Sequence, residues 1–221
     1  MLAAGLGALL VALALPRTLA YGVSAPDDAI VAALSKWPPP SPTSLLDAAA
    51  TRRASLARRD DGHLNTDLAA LELALARHAG LASREGRAWL ERVEADARAG
   101  LTLAPGQPYA WVALVYAMVA RGADRAAVAP AYRMAVEIAP YEPALVVPRV
   151  ELGLAAVARG ALDDDGRALL RDQIRLAAAA SPAELAKLAL RRYTLAAIRT
   201  ALADDPGLRA RFDAAYLSAV R

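Results

Sequence analysis

Alanine fills 58 of the 221 positions, and nothing else in the sequence constrains the fold as strongly. Alanine is the best helix former, and its small side chain lets helices approach closely. The residues that favour sheets are scarce by comparison: one Phe, three Trp and seven Tyr. An all-β fold is therefore ruled out. With 57% apolar residues the chain is also too hydrophobic to stay disordered, so it must bury a helical core.

The absence of cysteine removes disulfide scaffolds, thiolate zinc sites, c-type haem attachment and thiol nucleophiles together. Two histidines leave little room for histidine-based metal chemistry. The net charge of +3 is small, and acids and bases are interspersed, which is not the footprint of a nucleic-acid binder. All the basic residues except Lys36 and Lys187 are Arg, a bias that points to a GC-rich bacterial coding sequence.

Residues 1–24 read as a signal anchor or transmembrane helix. No charged side chain occurs before Arg17, and apolar character resumes through Val23. The uncharged run is nearer to a signal-peptide core than to the ~20 residues of a span. Thr18-Leu19-Ala20 is a passable cleavage site, but if Arg17 snorkels, an uncleaved anchor fits better and is preferred. A buried amino-terminal helix is the third option. The expected location is a single pass through a bacterial inner membrane, with the following domain in the periplasm.

Residues 25–43 hold a short helix, Asp27 to Lys36, and a proline spacer, Pro38-Pro39-Pro40-Ser41-Pro42, in which consecutive rings fix φ and exclude helix. Trp37 would sit near the membrane surface or pack on the domain. From 44 to 221 the chain reads as helices of 12–20 residues joined by short breaks. Ser44 to Arg59 is followed by a stop at Asp60-Asp61-Gly62-His63. Asp67 to His78 ends at Gly80, and Ser83 caps the next helix, which holds Trp89, Leu90, Val93 and Ala97. Ser181-Pro182-Ala183-Glu184 reads as a capping box, and Asp205-Pro206 opens a final helix.

The clearest unit spans residues 107–140. Trp111, Leu114 and Met118 lie on its first helix, Gly122 makes the turn, and Ala127, Tyr132 and Ala135 precede Pro140. This order resembles the tetratricopeptide repeat (TPR). Val115 stands where that repeat has glycine, and Met118 where it has an aromatic. The flanking segments fit more loosely, through Leu103-Ala104-Pro105 on one side and Gly160 and Ser181-Pro182 on the other. The resemblance implies an all-α, right-handed solenoid of helix-turn-helix units with packing residues Trp111, Leu114, Gly122, Ala127, Tyr132, Ala135 and Pro140. It also implies a partner-binding groove at Tyr109, Val112, Tyr116 and Val119.

Residues that could carry other chemistry have plainer readings. His63 and His78 read as a loop residue and a helix-end residue favoured by the dipole rather than as a metal pair. Asp163-Asp164-Asp165-Gly166 reads as negative charge at a helix start rather than as a calcium loop. No phosphate loop, nucleophile elbow or zinc helix motif occurs. Glu91 and Glu94 read as an ion-paired face. Arg52, Arg53, Arg58 and Arg59 form the densest basic patch, a solvated helix face or a contact for an anionic surface.

These features lead to the expectation of a non-catalytic scaffold for a protein partner in a membrane-associated assembly, with no metal, cofactor or nucleic acid. The anchor, spacer and degenerate repeats are similar to accessory proteins of bacterial exopolysaccharide and O-antigen export, and to cytochrome-maturation and outer-membrane-assembly factors. The competing expectation is a glycan-cleaving or glycan-binding helical enzyme built on two carboxylates.

Overall fold

The computed structural model describes residues 28–34 and 38–221. The expected anchor, residues 1–24, and Trp37 lie outside the described residues. Eleven helices and no strand occur among the described residues: α1 Asp28–Ala33, α2 Pro42–Leu56, α3 Gly62–Ala79, α4 Arg84–Leu103, α5 Pro108–Arg121, α6 Arg125–Glu137, α7 Pro143–Ala158, α8 Asp164–Ala180, α9 Pro182–Arg192, α10 Leu195–Ala201 and α11 Pro206–Val220. The chain is all-α. No helix among the described residues is long and apolar enough to cross a membrane.

The punctuation of the helices is chemical. Ser41, Asp61, Ser83, Asp124, Asp163 and Asp205 each accept a backbone N–H of the first turn that follows. They satisfy donors that would otherwise face no partner. Ser181 does not act this way. Its side chain makes no capping bond, because its own N–H closes α8 on Ala177 and its backbone is bent away from cap geometry. Glu184 pairs with Lys187 instead, so the expected capping box is absent.

The chain divides into two compact units, one ending at Ala113 and the other spanning Leu114–Arg221, with the boundary inside α5. In the first, α3 and α4 form a hairpin on which α2 and α1 pack. Its core is Leu45, Ala48, Ala49, Leu68, Leu71 and Leu75, with Ile30, Val31, Leu34 and Trp89 partly buried against it. The hairpin is drawn tight by glycine. A Cβ at Gly100 would stand 3.1 Å from the Gly62 carbonyl oxygen, closer than most side-chain contacts allow.

In the second unit α7 packs along α8, and α9 packs on α8 and α11. Its core includes Leu114, Val128, Tyr132, Ala135, Leu145, Val150, Leu170, Ile174, Leu185 and Phe212. Tyr132 sets the closest approach, since a Cβ at Gly153 would lie 2.5 Å from the Tyr132 hydroxyl oxygen and 2.7 Å from Leu170 Cδ1. That hydroxyl donates to the Arg149 carbonyl at 3.2 Å. Burial raises the Tyr132 phenol above its ordinary pKa, partly opposed by Arg149.

Candidate functional site

Within the second unit, helices α5, α7 and α9 end alike. Gly122, Gly160 and Tyr193 follow them with φ of 81°, 67° and 55°. In each case the next N–H reaches back five residues, from Ala123 to Met118, from Ala161 to Ala156 and from Thr194 to Ala189. This is the Schellman closure, which needs a left-handed residue and favours glycine there. After the first two, an aspartate caps the following helix, so Arg121-Gly122-Ala123-Asp124 and Arg159-Gly160-Ala161-Leu162-Asp163 share one closure and one cap, the second with one residue more between them. Sequence reasoning used Gly122 and Gly160 but missed this recurring Arg-Gly-Ala…Asp signal.

An ion pair also joins α7 to α9, within electrostatic range of α5. Arg192, at the end of α9, donates from Nε and Nη2 to Glu151 of α7 at 2.8 and 2.6 Å. That carboxylate holds the guanidinium more firmly charged, with a lesser electrostatic contribution from Tyr116 of α5. Arg159, just past the end of α7, reaches the α5 turn, with Nη1 3.4 Å from where a Gly122 Cβ would stand. An arginine held by one carboxylate and more than half exposed keeps donors for an incoming acceptor. Tyr116 is half-buried, so part of its ring and hydroxyl face solvent.

The positions expected to line a groove separate accordingly. Tyr116 is half-buried and within electrostatic range of Arg192. Val119 is 5% exposed, so it lines no open face. Tyr109, 46% exposed, and Val112, half-buried, lie on the part of α5 that belongs to the first unit. Among the expected packing residues, Leu114, Tyr132 and Ala135 are buried, and Ala127 and Pro140 are half-buried. Gly122 is the left-handed turn. Half-buried Trp111 donates its indole N–H to the Pro105 carbonyl at 2.9 Å.

The basic patch of α2 breaks up in the first unit. Arg52 is fully buried, because it falls on the same stripe as Leu45, Ala48, Ala49 and Ser55. It donates to Asp28 at 2.6 Å and pairs with Asp67 at 3.4 Å, so it is not a surface contact for an anion. Burial raises the Asp67 pKa, with Arg52 opposing. Arg53 pairs with buried Glu72 and lies 6.0 Å from the Trp89 ring, over which Arg92 also sits at 4.6 Å. Arg58 and Arg59 remain exposed.

Sequence reasoning did not find Glu72. Burial, reinforced by a hydrogen bond to the Asp96 carboxyl, pushes its pKa up to about 8 against the pull of Arg53. Two carboxyls can hydrogen-bond only by sharing a proton. The signal available was a lone acid on the apolar stripe Leu68, Leu71, Glu72, Leu75. With Glu72 closed to solvent and bonded to its partner, the pair is unlike the carboxylates ~5–9.5 Å apart that flank a glycosidic bond in most glycosidases.

The histidines sit at opposite ends of α3, about 22 Å apart along its axis. His63 takes a contact from the Gln107 amide at 2.8 Å and borders an open hollow of about 510 Å³ with Asp28, Leu64 and Asp67. His78 borders one of about 260 Å³ with Leu34, Pro39 and Pro40. Asp163 caps α8 and pairs with Arg133, as does Asp165, while Asp164 pairs with Arg167. No group of three or more potential ligands is arranged for a metal among the described residues. No protein-family model, curated protein or solved structure matches the chain.

Proposed function

We propose that the chain is a non-catalytic adapter that holds a segment of a protein partner on the second unit, across the faces of α5, α7 and α9. The Glu151–Arg192 pair between α7 and α9, with half-buried Tyr116 of α5 within electrostatic range of Arg192, carries this reading: a charged pair and an aromatic from alternate helices supply contact groups for a partner. The finer fold assignment, a right-handed TPR-like solenoid, belongs to the same proposal. The three alike helix ends and the repeated turn support it, since stacked units would place their first helices side by side. The amino-terminal apolar segment would hold this adapter at a bacterial inner membrane.

The test is a photo-crosslinking side chain placed at Tyr116 and, separately, at exposed Ala126 of α6, in cells that make the protein natively. The adapter reading expects one defined protein adduct at Tyr116 that Arg192→Ala reduces, and none at Ala126. The same adduct from both positions, or an adduct indifferent to Arg192, would refute it.

A further inference from the structure

Of the three left-handed helix ends in the second unit, two use glycine and the third uses Tyr193, which is 94% exposed. A bulky L residue is strained in that conformation, where glycine is not. The ring contributes almost no burial in return. The residue is therefore costly where it stands, and a strained, fully exposed aromatic is the kind of feature that marks a contact site.

Arg191 and Arg192 precede it directly and are exposed, and the corresponding ends of α5 and α7 also carry arginine, at Arg121 and Arg159. The acids of these turns are engaged. Glu151 holds Arg192, Asp124 caps Ala127, Asp163 and Asp165 pair with Arg133, and Asp164 pairs with Arg167. An exposed aromatic beside arginines complements carboxylates next to an apolar or aromatic side chain.

Building on the adapter reading, we propose that the Arg191-Arg192-Tyr193 end of α9 docks an acidic segment of the protein partner, with Tyr193 packing on an aromatic or apolar residue within that segment. The arginines take its carboxylates and set the approach by charge. The Schellman closure fixes the Tyr193 backbone, and its ring has only two torsions to order on contact.

The probe is a fluorescein-labelled peptide of eight glutamates around one central tryptophan, titrated into the full-length protein at low salt. Arg191→Glu is expected to weaken binding about tenfold and Tyr193→Gly about fivefold, with Tyr193→Phe close to wild type. Tyr193→Gly should leave the melting temperature unchanged or raised, which separates lost contact from lost structure. Arg84→Glu, the same charge reversal on the first unit, should change binding less than twofold. Equal binding by Tyr193→Gly and wild type would overturn the proposal. So would failure of the peptide to bind while phosphatidylglycerol vesicles bind through Arg191. If the Tyr116 adduct persists in the Tyr193→Gly and Arg191→Glu variants while the peptide fails, the adapter reading stands and the acidic segment falls.

Discussion

Single side chains decide how tightly each unit closes. At Gly153 the space for a Cβ is already taken by Tyr132 and Leu170. Gly153→Ala should therefore destabilise the protein by about 2 kcal/mol, the usual range for overpacking, measured by urea unfolding. The nearest obstacle is the Tyr132 hydroxyl, so adding Tyr132→Phe should recover part of that loss even though the single Tyr132→Phe change costs about 1 kcal/mol. Glu72 gives a second test. Its pKa is raised from 4.5 to about 8 in the folded chain, so the native state holds a proton that the unfolded state has released. Its contribution to stability is complete below pH 4.5 and is lost as pH rises towards 8. Thermal unfolding of the wild type should thus show destabilisation across that window, and Glu72→Gln, which keeps a donor for Asp96, should flatten it. These features were hard to read in the sequence for one reason. Arg52 and Glu72 are charged residues on buried stripes, and charge patterning assigns such residues to the solvent face. Only the partners brought in by folding, Asp28 and Asp67 for one and Arg53 and Asp96 for the other, make their burial tolerable.

Helices were legible wherever capping and breaker chemistry coincided. Ser83, Gly80, Gly122 and Asp205-Pro206 mark boundaries that the structure keeps. The start of α3 shows the opposite case. Asp60-Asp61-Gly62-His63 reads as a stop, yet Asp61 caps a helix beginning at Gly62, because glycine here lies against Ala104 and not in a turn. The break after Arg192 had no conventional signal, since tyrosine occupies the place of glycine, and a short additional helix, α10, follows it. Prolines inside two helices supply the prediction at this scale. Pro130 in α6 and Pro148 in α7 are both exposed, and each removes an N–H from the helix ladder. Alanine at either position should raise stability by about 1 kcal/mol in denaturant titration, after allowance for the freer unfolded chain.

For the whole molecule, the all-helical character was fixed by composition, because alanine abundance and aromatic scarcity leave no material for sheets. The division within α5 was not legible, since Pro108–Arg121 reads as one uninterrupted helix and the partition depends on which distant side chains gather on either half. Part of the candidate surface was: the repeat pattern picked out Tyr116, while Glu151 and Arg192 lie 35 and 76 positions further on and meet each other only through the packing of α7 and α9. The central claim is that this surface, and not the interior, engages a partner. It is tested most directly by the affinity of the protein recovered at Tyr116 for wild type and for the double variant Tyr116→Ala/Arg192→Ala, with melting temperatures measured alongside. The account predicts at least a tenfold loss of affinity, about 1.4 kcal/mol or more, with the fold intact. Unchanged affinity in a folded double variant would contradict it.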